Sequence, residues 1–189
     1  MAEEKVDIFD NTFIAYNGKS TRELRKWYWM LVLLQNKGLV KIGLALLKTA
    51  MKWHLPWQKG VKNTLYKQFC GGESLEETNK VVKKLNIFGL KTSLDYAVEN
   101  ESSEEKFIKN THDTLQAIEF AGTQSGDVPF CAIKITGFCQ SDLLAKIQEG
   151  NTLTSQEEED YQKLQERVEN ICLKAYQNQV KVLIDSEES

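Results

Sequence analysis

The chain has 189 residues, of which 41% are hydrophobic and 27% charged, and a net charge of −3. That leaves room for one globular domain with an appendage, and the composition is that of an ordinary soluble protein. The four cysteines form no C-x-x-C pair and only His54 and His112 could supplement them, which argues against a zinc site or a disulfide framework and for a reducing compartment. The small net charge hides an asymmetry. Residues 19–67 hold eleven Lys or Arg against one acid, Glu23, so this segment is near +10 and the remainder near −13. A basic block on an acidic body points to an anionic surface as partner.

The opening residues Met1-Ala2-Glu3-Glu4-Lys5 are acidic and polar, unlike a secretory signal or an arginine-rich transit peptide. Apolar runs such as Trp27–Leu34 are shorter than the ~20 residues a spanning helix needs. These features read as a cytoplasmic chain that can associate with a membrane. Ser20 and Glu23 form a capping-box pattern that starts a helix over Arg22–Asn36, with Lys37-Gly38 as its stop. A second helix is predicted from about Leu39 to His54, ending before Pro56, and a third from about Lys59 to Phe69, halting at the Gly71-Gly72 turn. This front part carries all four tryptophans, Trp27, Trp29, Trp53 and Trp57. Its lysines, Lys37, Lys41, Lys48 and Lys52, fit either a solvated helix face or, interleaved with Trp and Leu, an element lying on a membrane surface. No nucleic-acid-binding signature is present, so nucleic acid is not an expected partner.

The pattern changes after Gly72. Ser74 and Glu77 form a second capping-box pattern, for a helix to about Phe88, and a strand follows at about 90–96. Ser103 opens an amphipathic helix to about Ala121, with Phe107, Thr111, Leu115 and Ile118 at helical spacing. A strand at about 130–136 and a short helix from Ser141 to Glu149 come next, closed by Gly150-Asn151. Ser155 N-caps a helix to about Asn178 that carries Tyr161, Leu164, Val168, Ile171, Cys172 and Ala175 on one face, and a strand spans 180–185. Cys131 and Cys172 read as buried apolar thiols. Alternating strands and helices predict an α/β fold with a parallel sheet whose strands are buried on both faces.

Each strand delivers charge at one end. The first closes on Asp95 and Glu99, the second on Lys134, and the third on Asp185, followed by Glu187 and Glu188. In parallel α/β folds the C-terminal mouth of the strands is where chemistry collects. Lys134, between Ile133 and Ile135, is either an edge-strand lysine facing solvent or an ammonium at the sheet mouth. In the second case it binds a substrate carboxylate or forms a Schiff base. Asp185 is either the N-cap of a following helix or a fixed carboxylate that orients cationic and hydroxyl partners. Glu187 and Glu188 suit the first turn of a helix. Asp95 and Glu99 suit caps or site acids. There is no phosphate-binding glycine loop.

Four stretches, Phe69-Cys70-Gly71-Gly72-Glu73-Ser74, Leu94-Asp95-Tyr96-Ala97-Val98-Glu99, Phe130-Cys131-Ala132-Ile133-Lys134-Ile135-Thr136-Gly137 and Ile184-Asp185-Ser186-Glu187-Glu188-Ser189, together resemble the proline dehydrogenase (proline oxidase) family in order and spacing. The resemblance covers about residues 66–189. It implies a helical arm over residues 1–73, followed over residues 74–189 by the first three β/α units of a distorted (β/α)8 barrel carrying FAD. It also implies oxidation of L-proline to 1-pyrroline-5-carboxylate, with electrons passed to membrane quinone at the inner membrane, mitochondrial in a eukaryote. By resemblance, Lys134 is the second-strand lysine that reaches the substrate carboxylate beside the flavin. Asp185 is the third-strand aspartate that organises the site near flavin and substrate. Glu99 is the acid after the first strand that pairs with an arginine and helps to gate the pocket. Three strands of eight suggest the N-terminal portion of such an enzyme. The expectation is therefore that these 189 residues alone neither bind FAD stoichiometrically nor oxidise proline. Two alternatives stand beside this reading. One is a catalytically inactive module that binds a membrane or another subunit; the other, from the residues alone, is a Schiff-base lyase using Lys134.

Overall fold

A computed structural model describes residues 11–96, 101–124 and 126–186. The chain divides into two compact units, Met1–Cys70 and Gly71–Ser189.

The first unit is helical. α1 covers Thr12–Tyr16, α2 Thr21–Gln35 and α3 Lys37–Lys52. The capping box at α2 forms as the sequence indicates: the Glu23 amide donates to Ser20 Oγ at 3.2 Å and the Ser20 amide to Glu23 Oε2 at 2.8 Å. The stop differs from expectation. Lys37-Gly38 does not end α2; Asn36 does, and the same residue starts α3 by accepting from the amides of Gly38 and Leu39 at 3.0 and 3.2 Å. One extended residue with a side-chain acceptor thus serves both helices, and their axes meet at 96°. α3 closes in a Schellman motif: the amides of His54 and Leu55 donate to the carbonyls of Met51 and Ala50. That places His54 at a left-handed φ of 54°. The last helical stretch runs α4 Gln58–Val61, a π-helical turn Lys62–Tyr66, and α5 Lys67–Phe69. Among the described residues no single helix is long and apolar enough to cross a membrane, and α2 with α3 qualifies only as a bent pair.

The second unit is mixed α/β, with α6 Leu75–Asn86, β1 Ser93–Asp95, α7 Glu104–Thr123, β2 Phe130–Lys134, a 3-10 turn Ile135–Gly137, α8 Ser141–Gln148, α9 Ser155–Gln177 and β3 Lys181–Asp185. Ser74 caps α6, but Glu77 reaches back to the Glu73 amide at 3.2 Å instead of closing the box on Ser74. The Gly71-Gly72 step is more than a turn. A Cβ on Gly72 would stand 2.8 Å from both Glu77 Cβ and the Thr78 amide, so only glycine lets the chain pass the first turn of α6. The cap of α9 is Thr154, not Ser155; it forms a full capping box with Glu157, whose carboxylate is also held by Lys146 of α8.

The strands pair in parallel in the order β1-β2-β3, with Ser93 opposite Phe130 and Phe130 opposite Lys181. Leu94, Cys131 and Ile133 are buried, and they share one core with Ile118 and Ala121 of α7 and Leu164, Ile171 and Ala175 of α9. Both crossover helices therefore cover the same face of the sheet. The expectation of strands buried on both faces is not met. β2 alternates half-buried and buried, and β3 is largely exposed, with Leu183 at 45% and Ile184 at 58%. β1 and β2 alternate because Leu94, Cys131 and Ile133 point toward the helices and their neighbours point away.

Cys172 is exposed, against its reading as a buried thiol: α9 turns Ile171 and Ala175 inward, and 172 falls off that stripe. Cys131 and Cys139 are buried, and burial pushes each thiol up to about 11. Iodoacetamide at mildly alkaline pH is therefore expected to label Cys70 and Cys172 in the native protein and to spare Cys131 and Cys139 until urea is added. Rapid native labelling of Cys131 would contradict the packing described.

Glu157 is held down to about 2, first by the hydrogen bond from Lys146 and then by the Thr154 amide and hydroxyl. A carboxyl lowered on folding contributes stability above its ordinary value of 4.5, and that contribution is lost as pH falls toward about 2. Urea titrations are expected to show Glu157→Gln less stable than the parent at neutral pH, with the gap closing between those two values. A gap independent of pH would assign the loss to something other than the carboxylate.

Candidate functional site

β2 is the central strand and ends in Lys134; β3 ends in Asp185; the two residues are partners in the parallel register. Their side chains leave the sheet on the face opposite Cys131 and Ile133, since neighbouring strand residues point to opposite faces. The edge-strand reading of Lys134 is thereby excluded. Its side chain is only 12% exposed, and Nζ lies 3.9 Å from Asp185 Oδ2, whose side chain is 56% exposed. A half-buried ammonium in a sheet is costly without an opposite charge, and the neighbouring strand end supplies one. At 3.9 Å the contact is an ion pair at electrostatic range rather than a tight hydrogen bond. Ala132, two residues earlier on the same face of β2, keeps the approach to Lys134 low, and it stands opposite Asp95, the exposed last residue of β1. The three strands thus deliver Asp95, Lys134 and Asp185 at one end of the sheet. Glu99, Glu187 and Glu188 lie outside the described residues.

Two clefts flank this row. One, of about 510 Å³, runs from Ile135 and Thr136 past Leu144 and Gln148 of α8 to Ile184 and Asp185. The other, of about 610 Å³, lies between α6, β1 and α7 and includes Asp95, Tyr96, Lys109 and Asp113. In the second, Tyr96 Oη donates to Asp113 Oδ2 at 2.8 Å and Lys109 Nζ donates to the same oxygen at 2.7 Å. Burial works against ionisation of Asp113, but these two hydrogen bonds and the lysine charge outweigh it and hold the carboxyl below its ordinary value.

Sequence reasoning missed the polar groups beneath the site. Asn110 and Arg167 are buried on the faces that α7 and α9 turn to the sheet. Asn110 Nδ2 donates to the Gly137 carbonyl at 2.9 Å, and one Arg167 guanidinium nitrogen donates to the Phe138 carbonyl at 2.8 Å. Arg167 also pairs with Glu104 and lies 5.6 Å from the Phe107 ring centroid. The available signal was a polar residue at a core position of each amphipathic helix: Asn110 three places after Phe107, and Arg167 between Leu164 and Ile171.

A parallel sheet wound in one direction, with paired charges at the C-terminal ends of its strands, is the framework of an α/β enzyme domain. The family model described as proline dehydrogenase matches residues 78–189, the stretch that contains all three strands. The chain belongs to the proline dehydrogenase family, a family of oxidoreductases. Among similar proteins, Proline dehydrogenase 1, mitochondrial, of Dictyostelium discoideum is 35% identical over 96 residues, covering 50% of this chain and 16% of the relative. The protein of the same name from Caenorhabditis elegans is 34% identical over 109 residues, covering 54% and 18% respectively. The carbapenem antibiotics biosynthesis protein CarD of Pectobacterium carotovorum subsp. carotovorum is 26% identical over 180 residues, covering 95% of this chain and 47% of the relative, so that similarity extends into the helical unit. The chain spans less than half the length of each of these relatives.

Proposed function

We propose that this chain contributes Lys134 and Asp185 to an enzyme that oxidises L-proline to 1-pyrroline-5-carboxylate with FAD and passes the electrons to membrane quinone. Residues 1–73 form its arm, and residues 74–189 the first three β/α units of a (β/α)8 barrel. The observation that carries the reading is the Lys134–Asp185 pair on the sheet face opposite the core helices, inside the stretch that matches the family. The winding supports a barrel. Sequential strand order with both crossover helices on one face is how a barrel begins, whereas a doubly wound sheet reverses order and covers both faces.

The donor set suits FAD. A fixed cation beside a small residue, Ala132, accommodates a flat ring that gains negative charge on reduction, and Asp185 keeps that cation in place. When bound, FAD would supply the hydride acceptor for oxidation of the bond between the proline nitrogen and its neighbouring CH2 carbon, with the amine proton released. Lys134 meets the proline carboxylate and fixes the ring relative to the acceptor. Asp185 orients Lys134 and accepts hydrogen bonds at the strand mouth, and Glu99 gates the entrance through an arginine. The Schiff-base alternative is less well served, because a carboxylate neighbour pairs with an ammonium and not with the neutral amine that such chemistry needs.

Protein made from its own reading frame and saturated with FAD is expected to lose its visible flavin bands on addition of L-proline. Lys134→Ala is expected to lower kcat/KM by about 10- to 100-fold with FAD content little changed, the size of one charge-assisted contact. A flavoprotein that dithionite bleaches and proline does not would refute the proposed substrate, and kinetics unchanged by the substitution would make Lys134 structural. Residues 1–189 alone are expected to retain no FAD after gel filtration. The outer edges of β1 and β3 have no strand paired against them among the described residues.

The helical unit supports contact with a membrane surface, which an enzyme that reduces quinone requires. None of the described residues of α2 and α3 is buried. On α3 the lysines 37, 41, 48 and 52 recur at helical spacing along one stripe, while Leu39, Ile42, Leu46 and Trp53 stand exposed. Co-sedimentation with vesicles containing anionic lipid is expected at low salt, falling as salt rises. Equal recovery in the supernatant with and without vesicles would remove the membrane from the proposal.

A further inference from the structure

The residue after Lys134 begins a tight turn, and that turn is gripped from behind by side chains of two different helices. The Phe138 amide donates to the Ile135 carbonyl at 2.9 Å, closing one 3-10 turn directly on the end of β2. The carbonyls of Gly137 and Phe138 are not left to solvent. Gly137 accepts from Asn110 of α7, and Phe138 accepts from Arg167 of α9, both in buried hydrogen bonds. Gly137 and Phe138 are themselves buried, so these carbonyls need protein donors. Arg167 is in turn fixed by Glu104 and by the face of Phe107, both on α7. The two donors therefore form one assembly across α7 and α9 that reaches the chain three and four residues beyond Lys134.

Resting on the reading of Lys134 as the substrate-carboxylate contact, we propose that Asn110 and Arg167 are positioning residues. By clamping the backbone at Gly137 and Phe138 they fix where the end of β2 stops, and so where the Lys134 ammonium stands relative to Asp185 and the substrate. Neither touches substrate; both act through the turn. The pair divides the work by chemistry. Asn110 is neutral and short, so it sets distance. Arg167 carries a charge that Glu104 compensates, so it can donate from inside the core without leaving an unpaired ion. A loose turn would let the lysine move outward toward solvent from a position where its side chain is 12% exposed.

Asn110→Ala and Arg167→Lys test this, with kinetics normalised to bound flavin. Each is expected to raise KM for proline by roughly 5- to 20-fold with kcat changed much less, because the displaced lysine serves substrate binding. Mere destabilisation would lower the amount of active protein and leave KM alone. Asn110→Gln, which keeps an amide donor, is expected to recover part of the loss. A second readout needs no turnover: reductive methylation of Lys134, followed by peptide mass spectrometry, is expected to quicken about 5-fold or more in either variant, with exposed Lys80 as an unchanged internal control. If Asn110→Ala does not fold, Arg167→Lys carries both measurements. In a Lys134→Ala background the KM effects are expected to vanish, since the clamp then has nothing to position. KM and methylation rates equal to the parent in both variants, while Lys134→Ala raises KM, would overturn the clamp alone. An unchanged KM in Lys134→Ala would overturn the reading on which it rests.

Discussion

A half-buried ammonium on the central strand must be answered by an opposite charge, and here the answer depends on register. Lys134 meets Asp185 because Phe130 starts opposite Lys181 and the two strands keep step for five residues. A slip of one residue would turn every side chain of β3 to the other face and put Ile184 where the carboxylate belongs. That register is set before the strand begins. α9 ends in a Schellman motif, with the Gln179 amide bonded to the Tyr176 carbonyl and the Val180 amide to the Ala175 carbonyl, and this places Gln179 at a φ of 56°. The Lys181 amide then donates to the Pro129 carbonyl at 3.1 Å, which fixes the first rung.

The same logic joins fold to site on the opposite side of the sheet. Ile118 of α7 and Ile171 of α9 have no exposed surface, and they bring the two helices onto Cys131 and Ile133. Only because both helices dock there can Asn110 and Arg167 reach the turn that follows β2. Apolar packing supplies the affinity between the layers, and the buried polar contacts supply the alignment. The helical unit follows different rules: its caps are well formed, while its apolar surface stays in the open.

Much of this was readable in the amino-acid sequence, and the failures have physical causes. The α2 cap was legible because Ser20 and Glu23 are local partners whose spacing alone defines the motif. Thr154 and Ser155 are adjacent hydroxyl residues, each with a glutamate three places on, Glu157 and Glu158, so the spacing alone does not decide between them. The type and order of the strands followed from β-branched runs, but their one-sided burial did not, because a run such as Val182-Leu183-Ile184 looks the same whether one face or both are covered. Cys172 was misplaced because it neighbours Ile171 on a stripe whose edge sequence cannot fix to within one residue. The row of charges at the strand ends was visible, since parallel strands bring their last residues to one end of the sheet. The clamp beneath it was not, because Asn110 and Arg167 meet Gly137 and Phe138 across 27 and 29 residues of chain.

One-directional winding also bears on how the molecule is made. Each strand pairs with its predecessor, 37 residues back for Phe130 on Ser93 and 51 for Lys181 on Phe130. No rung among the described strands waits for a partner that is synthesised later than its neighbour. A ribosome therefore releases a sheet that can grow at one edge, with each crossover helix docking as it emerges. The order in which the chain leaves the exit tunnel is the order in which its layers can assemble, and Lys134 is in place before the carboxylate that will answer it has been translated.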